Sequence, residues 1–184
     1  MLKRFGWFDL PGVQRGERTL QDQLTGLKPA FAEAQDKRVL DLGSAEGLIS
    51  KAMLEAGAAS VECVESNPDY VDEARRQLRG LPSVVHRWDL NNGLPSVGAV
   101  DLVLMLAILH KLKEPLILLG QVIERTRAPL LVIRYPRNND GVIVDGRSHF
   151  KPQNVPGFLK QNVYKNTHNV MGPRRELVAY FRKV

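Results

Sequence analysis

Val39-Leu40-Asp41-Leu42-Gly43-Ser44-Ala45-Glu46-Gly47 decides how this 184-residue chain is read. Its first half is a short apolar run that stops at a glycine, the pattern of a buried strand. Its second half is small and polar. Leu48, Ile49, Ala52, Met53 and Ala56 then recur at helical spacing up to Gly57. Strand, tight turn and helix in that order bring a ligand against backbone at the carboxyl end of a strand. Only residues with little side chain leave room there. Gly43, Ala45 and Gly47 meet that need, and the following helix presents its free N–H groups. Two better-known versions of the turn are excluded by spacing. Counted from Gly43, the later glycines of a dinucleotide G-x-G-x-x-G fall on Ala45 and Leu48, and no G-K-[ST] follows for a P-loop.

The same rhythm continues outward. Val61–Glu65 reads as a second strand. Asn67-Pro68 opens a second helix, with Asn as cap and Pro at the first helical position. Asp69, Asp72 and Glu73 stand at its positive end, and Arg75, Arg76 and Arg79 at its negative end. Ser83–Trp88, Val100–Ala107 and Pro129–Arg134 read as further strands, with a helical stripe of Leu112, Leu116, Leu119 and Ile123 before the last. Such alternation predicts an α/β, three-layer fold: a mostly parallel seven-stranded sheet with helices on both faces. Val163–Val170 and Glu176–Arg182, around Met171-Gly172-Pro173, predict a C-terminal antiparallel hairpin. Asn154–Gln161 reads as a short helix. Arg18–Ala34, with Leu20, Leu24, Leu27 and Phe31 on one face, reads as a helix behind an N-terminal loop. One domain is expected over 1–184: 1–37 at the front, 38–133 built around the decisive turn, and 134–184 with the hairpin.

Composition narrows the setting. The chain is 43% apolar and 25% charged, which excludes a disordered or fibrous chain. Its net charge of +6 is unevenly placed. Ten Lys/Arg against three Asp/Glu lie in 134–184, a net of +7, and 1–133 carry −1. Cys63 is the only cysteine, so neither an intrachain disulfide nor a cysteine zinc site is available, and a reducing, cytoplasmic setting is expected. Gly6 and Asp9 interrupt the N-terminus as a signal peptide. The longest apolar run, Leu102–Leu109, is far short of the ~20 residues of a membrane span.

The decisive turn resembles motif I, D-x-G-x-G-x-G, of class I (Rossmann-like) S-adenosylmethionine-dependent methyltransferases, with Asp41 to Gly47 in register and Ala45 at the middle glycine. The resemblance spans about residues 38–184. It implies a transferase (EC 2.1.1.-) with S-adenosyl-L-methionine as cofactor. It places Asp41, Gly43, Ser44, Ala45 and Gly47 at the cofactor and Glu65 on the ribose hydroxyls, which a carboxylate suits because it accepts from both. Ser66 and Asn67 fall near the adenine. Asp89 falls on the adenine amino group, with the backbone N–H of Leu90 on the ring. Leu106 and Ala107 fall along the methionine. His110, past the fourth strand, and Tyr135, ending the fifth, are candidate catalytic residues; no metal ligands are expected. The Asp/Asn/Ser-Pro-Pro-aromatic signature of amino-group DNA methyltransferases is absent, since Ala107-Ile108-Leu109-His110 stands there. The expected acceptor is anionic, nucleic acid or a small molecule, met by the basic C-terminal part with Arg137, Arg147 and Lys151. The alternative is a non-catalytic binding module acting through a partner.

Overall fold

The computed structural model describes residues 5–10, 14–136, 155, 157–168 and 174–184. In chain order its elements begin with β1 (Phe5–Phe8), β2 (Arg15–Arg18), α1 (Leu20–Leu24) and α2 (Lys28–Ala32). Then come β3 (Arg38–Leu42), α3 (Leu48–Glu55), β4 (Ser60–Glu65), α4 (Pro68–Gln77) and β5 (Ser83–Arg87). β6 (Leu102–Leu106), α5 (Pro115–Thr126), β7 (Leu130–Pro136), β8 (Phe158–His168) and β9 (Arg174–Lys183) complete the order.

Seven strands form one sheet in the order β5-β4-β3-β6-β7-β9-β8. The first five are parallel, β9 runs antiparallel to β7, and β8 runs antiparallel to β9. Alternation along the central strands fills two separate cores. Leu40, Val103, Met105, Leu131 and Ile133 face α5 and its Leu118, Leu119 and Val122. Val39, Leu102, Leu104, Leu130 and Val132 face Leu27, Ala30, Ile49 and Met53 of the helices on the other side. β6 is therefore buried on both faces, as a near-continuous apolar run demands. Asn67 caps α4 by accepting from the Asp69 N–H at 2.9 Å, with Pro68 in the first turn.

The front of the chain departs from the sequence reading. Arg18–Ala34 is two short helices rather than one. Gly26, with φ +79°, breaks the chain between them, and Pro29 starts the second. Ahead of them lies a small parallel pair, β1 with β2, where a loop was expected. Arg18 belongs to that strand. The stretch read as a short helix at 154–161 instead contains the start of β8, which begins at Phe158. Arg137, Arg147 and Lys151 lie outside the described residues. Among the described residues, no helix is long and apolar enough to cross a membrane.

Candidate functional site

A cleft of about 260 Å³ opens at the carboxyl ends of the parallel strands. The turn after β3 forms its floor. Gly43, Ala45 and Gly47 all take left-handed backbone, with φ of +76°, +47° and +76°. That alternation is why the turn needs small residues, and Ala45 holds the conformation despite its methyl group. A Cβ on Gly43 would come within 3.0 Å of the Ile108 side chain. Gly47 does not line the cleft; its missing Cβ admits Ala74 of α4 instead.

Glu65, ending β4, ties two loops together. Its Oε2 accepts from the Ala45 N–H at 3.1 Å, and its Oε1 accepts from the N–H groups of Ser66 and Asn67 at 2.8 Å each. Asp89 caps the short turn after β5, accepting from the Asn91 backbone N–H at 2.9 Å. Gly43, Ala45, Glu65, Ser66, Asp89, Leu90, Leu106 and Ala107 all line the one cleft.

Asp41 and Ser44 lie behind it, on a smaller cleft shared with Trp7 and Gln23. Asp41 is buried, and its Oδ2 accepts from the Ser50 hydroxyl at 2.7 Å. The Cys63 thiol in turn donates to Ser50 at 3.1 Å. Burial pushes the Asp41 carboxyl up to about 6, against the pull of the Ser50 hydrogen bond, and pushes Cys63 up to about 12. The Ser44 hydroxyl and the Gln23 side-chain N–H group are buried without a hydrogen-bond partner among the described residues.

His110 and Tyr135 are not in the lining. Burial, reinforced by the charge of Lys111, pulls His110 down to about 4, so its ring is neutral near neutral pH. Tyr135 is buried in the core on the α5 side of the sheet. Trp7, Tyr70, Trp88 and Lys111 line the cleft without having been anticipated. Trp7 comes from β1, and its ring centroid lies 4.4 Å from the Arg18 guanidinium and 4.2 Å from the Lys111 ammonium. Arg18 is itself buried, with two hydrogen bonds to Glu176 of β9 at 3.1 and 2.9 Å. Arg134, fully buried, reaches the same carboxylate at 3.7 Å and donates to Gln23. Among the described residues no cluster of His, Cys, Asp or Glu is suited to a metal.

Residues 39–127 match the family model described as Methyltransferase domain. Solved structures share the fold. An S-adenosylmethionine-dependent methyltransferase from Mesorhizobium loti is 17% identical with a TM-score of 0.64, over 88% of this chain and 100% of that one. Magnesium protoporphyrin IX methyltransferase from Synechocystis, solved with bound S-adenosylmethionine, is 18% identical with a TM-score of 0.64, over 88% and 77%. The [4+2]-cyclase SpnF is 16% identical with a TM-score of 0.65, over 88% and 81%. No curated protein sequence matches the chain. The chain thus shares its fold with S-adenosylmethionine-dependent methyltransferases, and its residues 39–127 match a methyltransferase domain.

Proposed function

We propose that the protein transfers the methyl group of S-adenosylmethionine to an anionic acceptor (EC 2.1.1.-). The observation that carries this reading is the cleft itself, where the left-handed turn 43–47 and the Glu65 carboxylate are bound to each other at the strand ends. The donor set fits the cofactor. Glu65 takes the ribose hydroxyls with the lone pairs its backbone partners leave open. Asp89 and the Leu90 N–H take the adenine, and Ser66 borders it. Asp41, Ser44 and Gln23 meet the amino-acid end, where an anionic carboxyl, a hydroxyl and an amide N–H complement an ammonium and a carboxylate. Leu106 and Ala107 flank the methionine chain.

When bound, the cofactor supplies an electrophilic methyl group on a positively charged sulfur. Displacement at that carbon is a problem of alignment, so the chain's task is to fix orientation and exclude water. No contact with the cofactor is assigned to His110 or Tyr135. The acceptor's charge is inferred from the +7 of residues 134–184. Part of that excess is internal, since Arg134 is buried.

Calorimetry with S-adenosylmethionine, followed by labelled-methyl transfer to RNA, DNA and metabolite fractions, tests the reading. Binding and transfer to an anionic fraction are expected. No binding at millimolar cofactor overturns it. A second reading, a domain of this fold that binds without transferring methyl, is favoured by the cyclase among the structural neighbours. Binding with no transfer to any fraction supports that one instead.

A further inference from the structure

β1 and β2 lie outside the large sheet, yet Trp7 of β1 borders the cleft, and one carboxylate fixes the backbone of β1 there. Glu46 sits between Ala45 and Gly47 and is fully buried. Its Oε1 accepts from the backbone N–H groups of Trp7 at 2.7 Å and Phe8 at 3.3 Å, and from the Gln14 amide at 2.8 Å. Three donors on one buried carboxylate oxygen make a strong and directional anchor. The surroundings leave little slack. A Cβ on Gly6 would meet the Gln14 amide nitrogen at 1.8 Å and Glu46 Oε1 at 2.5 Å. A Cβ on Gly16 would meet the Phe8 carbonyl carbon at 2.0 Å. β1 therefore fits its anchor only with glycine at both positions.

What the anchor holds in place is Trp7. Trp7, Gly43, Ala45 and Leu106 border both the main cleft and the smaller one beside Asp41 and Ser44. Glu65, Ser66 and Asp89 line the rest of the main cleft. Trp7 thus stands at the junction with the amino-acid end, where the methyl donor lies in the proposed function. Lys111 is drawn onto the same ring.

We propose that Glu46 is a positioning residue: it sets Trp7, with Lys111 over it, as the wall of the cleft where the methyl donor lies. This rests on reading the cleft as the cofactor site. Glu46 is not in the cleft lining and acts through β1.

The chain has two tryptophans, Trp7 and Trp88, and both line the cleft. Protein labelled with 5-fluorotryptophan therefore gives two fluorine resonances, assigned with Trp7→Phe. Without cofactor, Glu46→Ala is expected to shift or broaden the Trp7 line and leave the Trp88 line in place. Affinity for S-adenosylhomocysteine is expected to fall about tenfold. Glu46→Gln keeps an acceptor oxygen and is expected to restore both. A Trp7 line unmoved in folded Glu46→Ala overturns the proposal. If that variant does not fold, Gln14→Ala removes one of the three donors and must displace the Trp7 line in part; an unmoved line there overturns it equally. The cofactor-free spectra stand apart from calorimetry on the native chain, so failure of the cofactor reading and failure of this one are told apart.

Discussion

Replacing Glu176 by Ala strips the counter-charge from two buried guanidinium groups. Arg18 is 4% exposed, Arg134 0% and Glu176 3%. The change removes both Arg18 hydrogen bonds and the nearest carboxylate of Arg134. Arg134 does not escape by losing its proton. Burial lowers Arg134 only to about 10, which leaves it charged at neutral pH. Removing one partner of a buried ion pair costs about 3–5 kcal/mol, against a total stability of roughly 5–15 kcal/mol. For a chain of this size the loss lowers Tm by roughly 10–15 °C. Urea unfolding followed by circular dichroism measures it. Combining the change with Arg18→Met closes a double-mutant cycle. Arg18→Met is expected to cost about 1.5 kcal/mol less, or better, once Glu176 is gone. A loss under about 1 kcal/mol for Glu176→Ala, or an additive cycle, refutes the reasoning.

Asp41 carries a pH dependence of definite sign. Its carboxyl titrates at about 6 when folded and at 3.8 in its ordinary state, so between these values the folded chain holds the extra proton. Stability is full below the lower value and falls as pH rises through the higher, by on the order of 3 kcal/mol. Asp41→Asn keeps an acceptor for Ser50 and flattens that fall; urea midpoints across the window check it, and an unchanged slope counts against the assignment. Glu65→Ala is expected to weaken S-adenosylhomocysteine binding at least about tenfold by calorimetry, or about 1.4 kcal/mol, and unchanged affinity removes the ribose assignment. Ala45→Gly relieves left-handed backbone at φ +47° and raises stability by about 1 kcal/mol in thermal melts; a lower Tm contradicts it.

The parallel half of the fold was legible because its signals are local. Strand periodicity, the Asn67-Pro68 start and the small residues at 43, 45 and 47 each express a short-range constraint, and the left-handed φ values give its physical cause. Strand ends in a parallel sheet converge, so Glu65, Asp89 and Leu106 could be placed together before their contacts were known. The front of the chain offered no such signal. β1 and β2 are four residues each, and Arg15-Gly16-Glu17-Arg18 shows no apolar alternation, since its buried members are a glycine and an arginine held by a residue of β9. Trp7 and Lys111 meet the cleft only through tertiary packing. Glu46 was in view within the motif, but a turn glutamate reads as solvated until β1 is laid over it. The helix stripe at 18–34 overrode Gly26 and Pro29, the two residues that divide it.

The tie between Arg18 and Glu176 joins residues 158 positions apart. A ribosome adding ~5–20 residues per second delivers the glutamate roughly 10–30 s after the arginine. For that interval the Arg18 guanidinium lacks the carboxylate that receives it in the folded chain. All five parallel strands are synthesised meanwhile, the left-handed turn 43–47 included. The tie between the front of the chain and the closing hairpin is therefore made late in the life of the nascent chain, after every strand that borders the cleft has been synthesised.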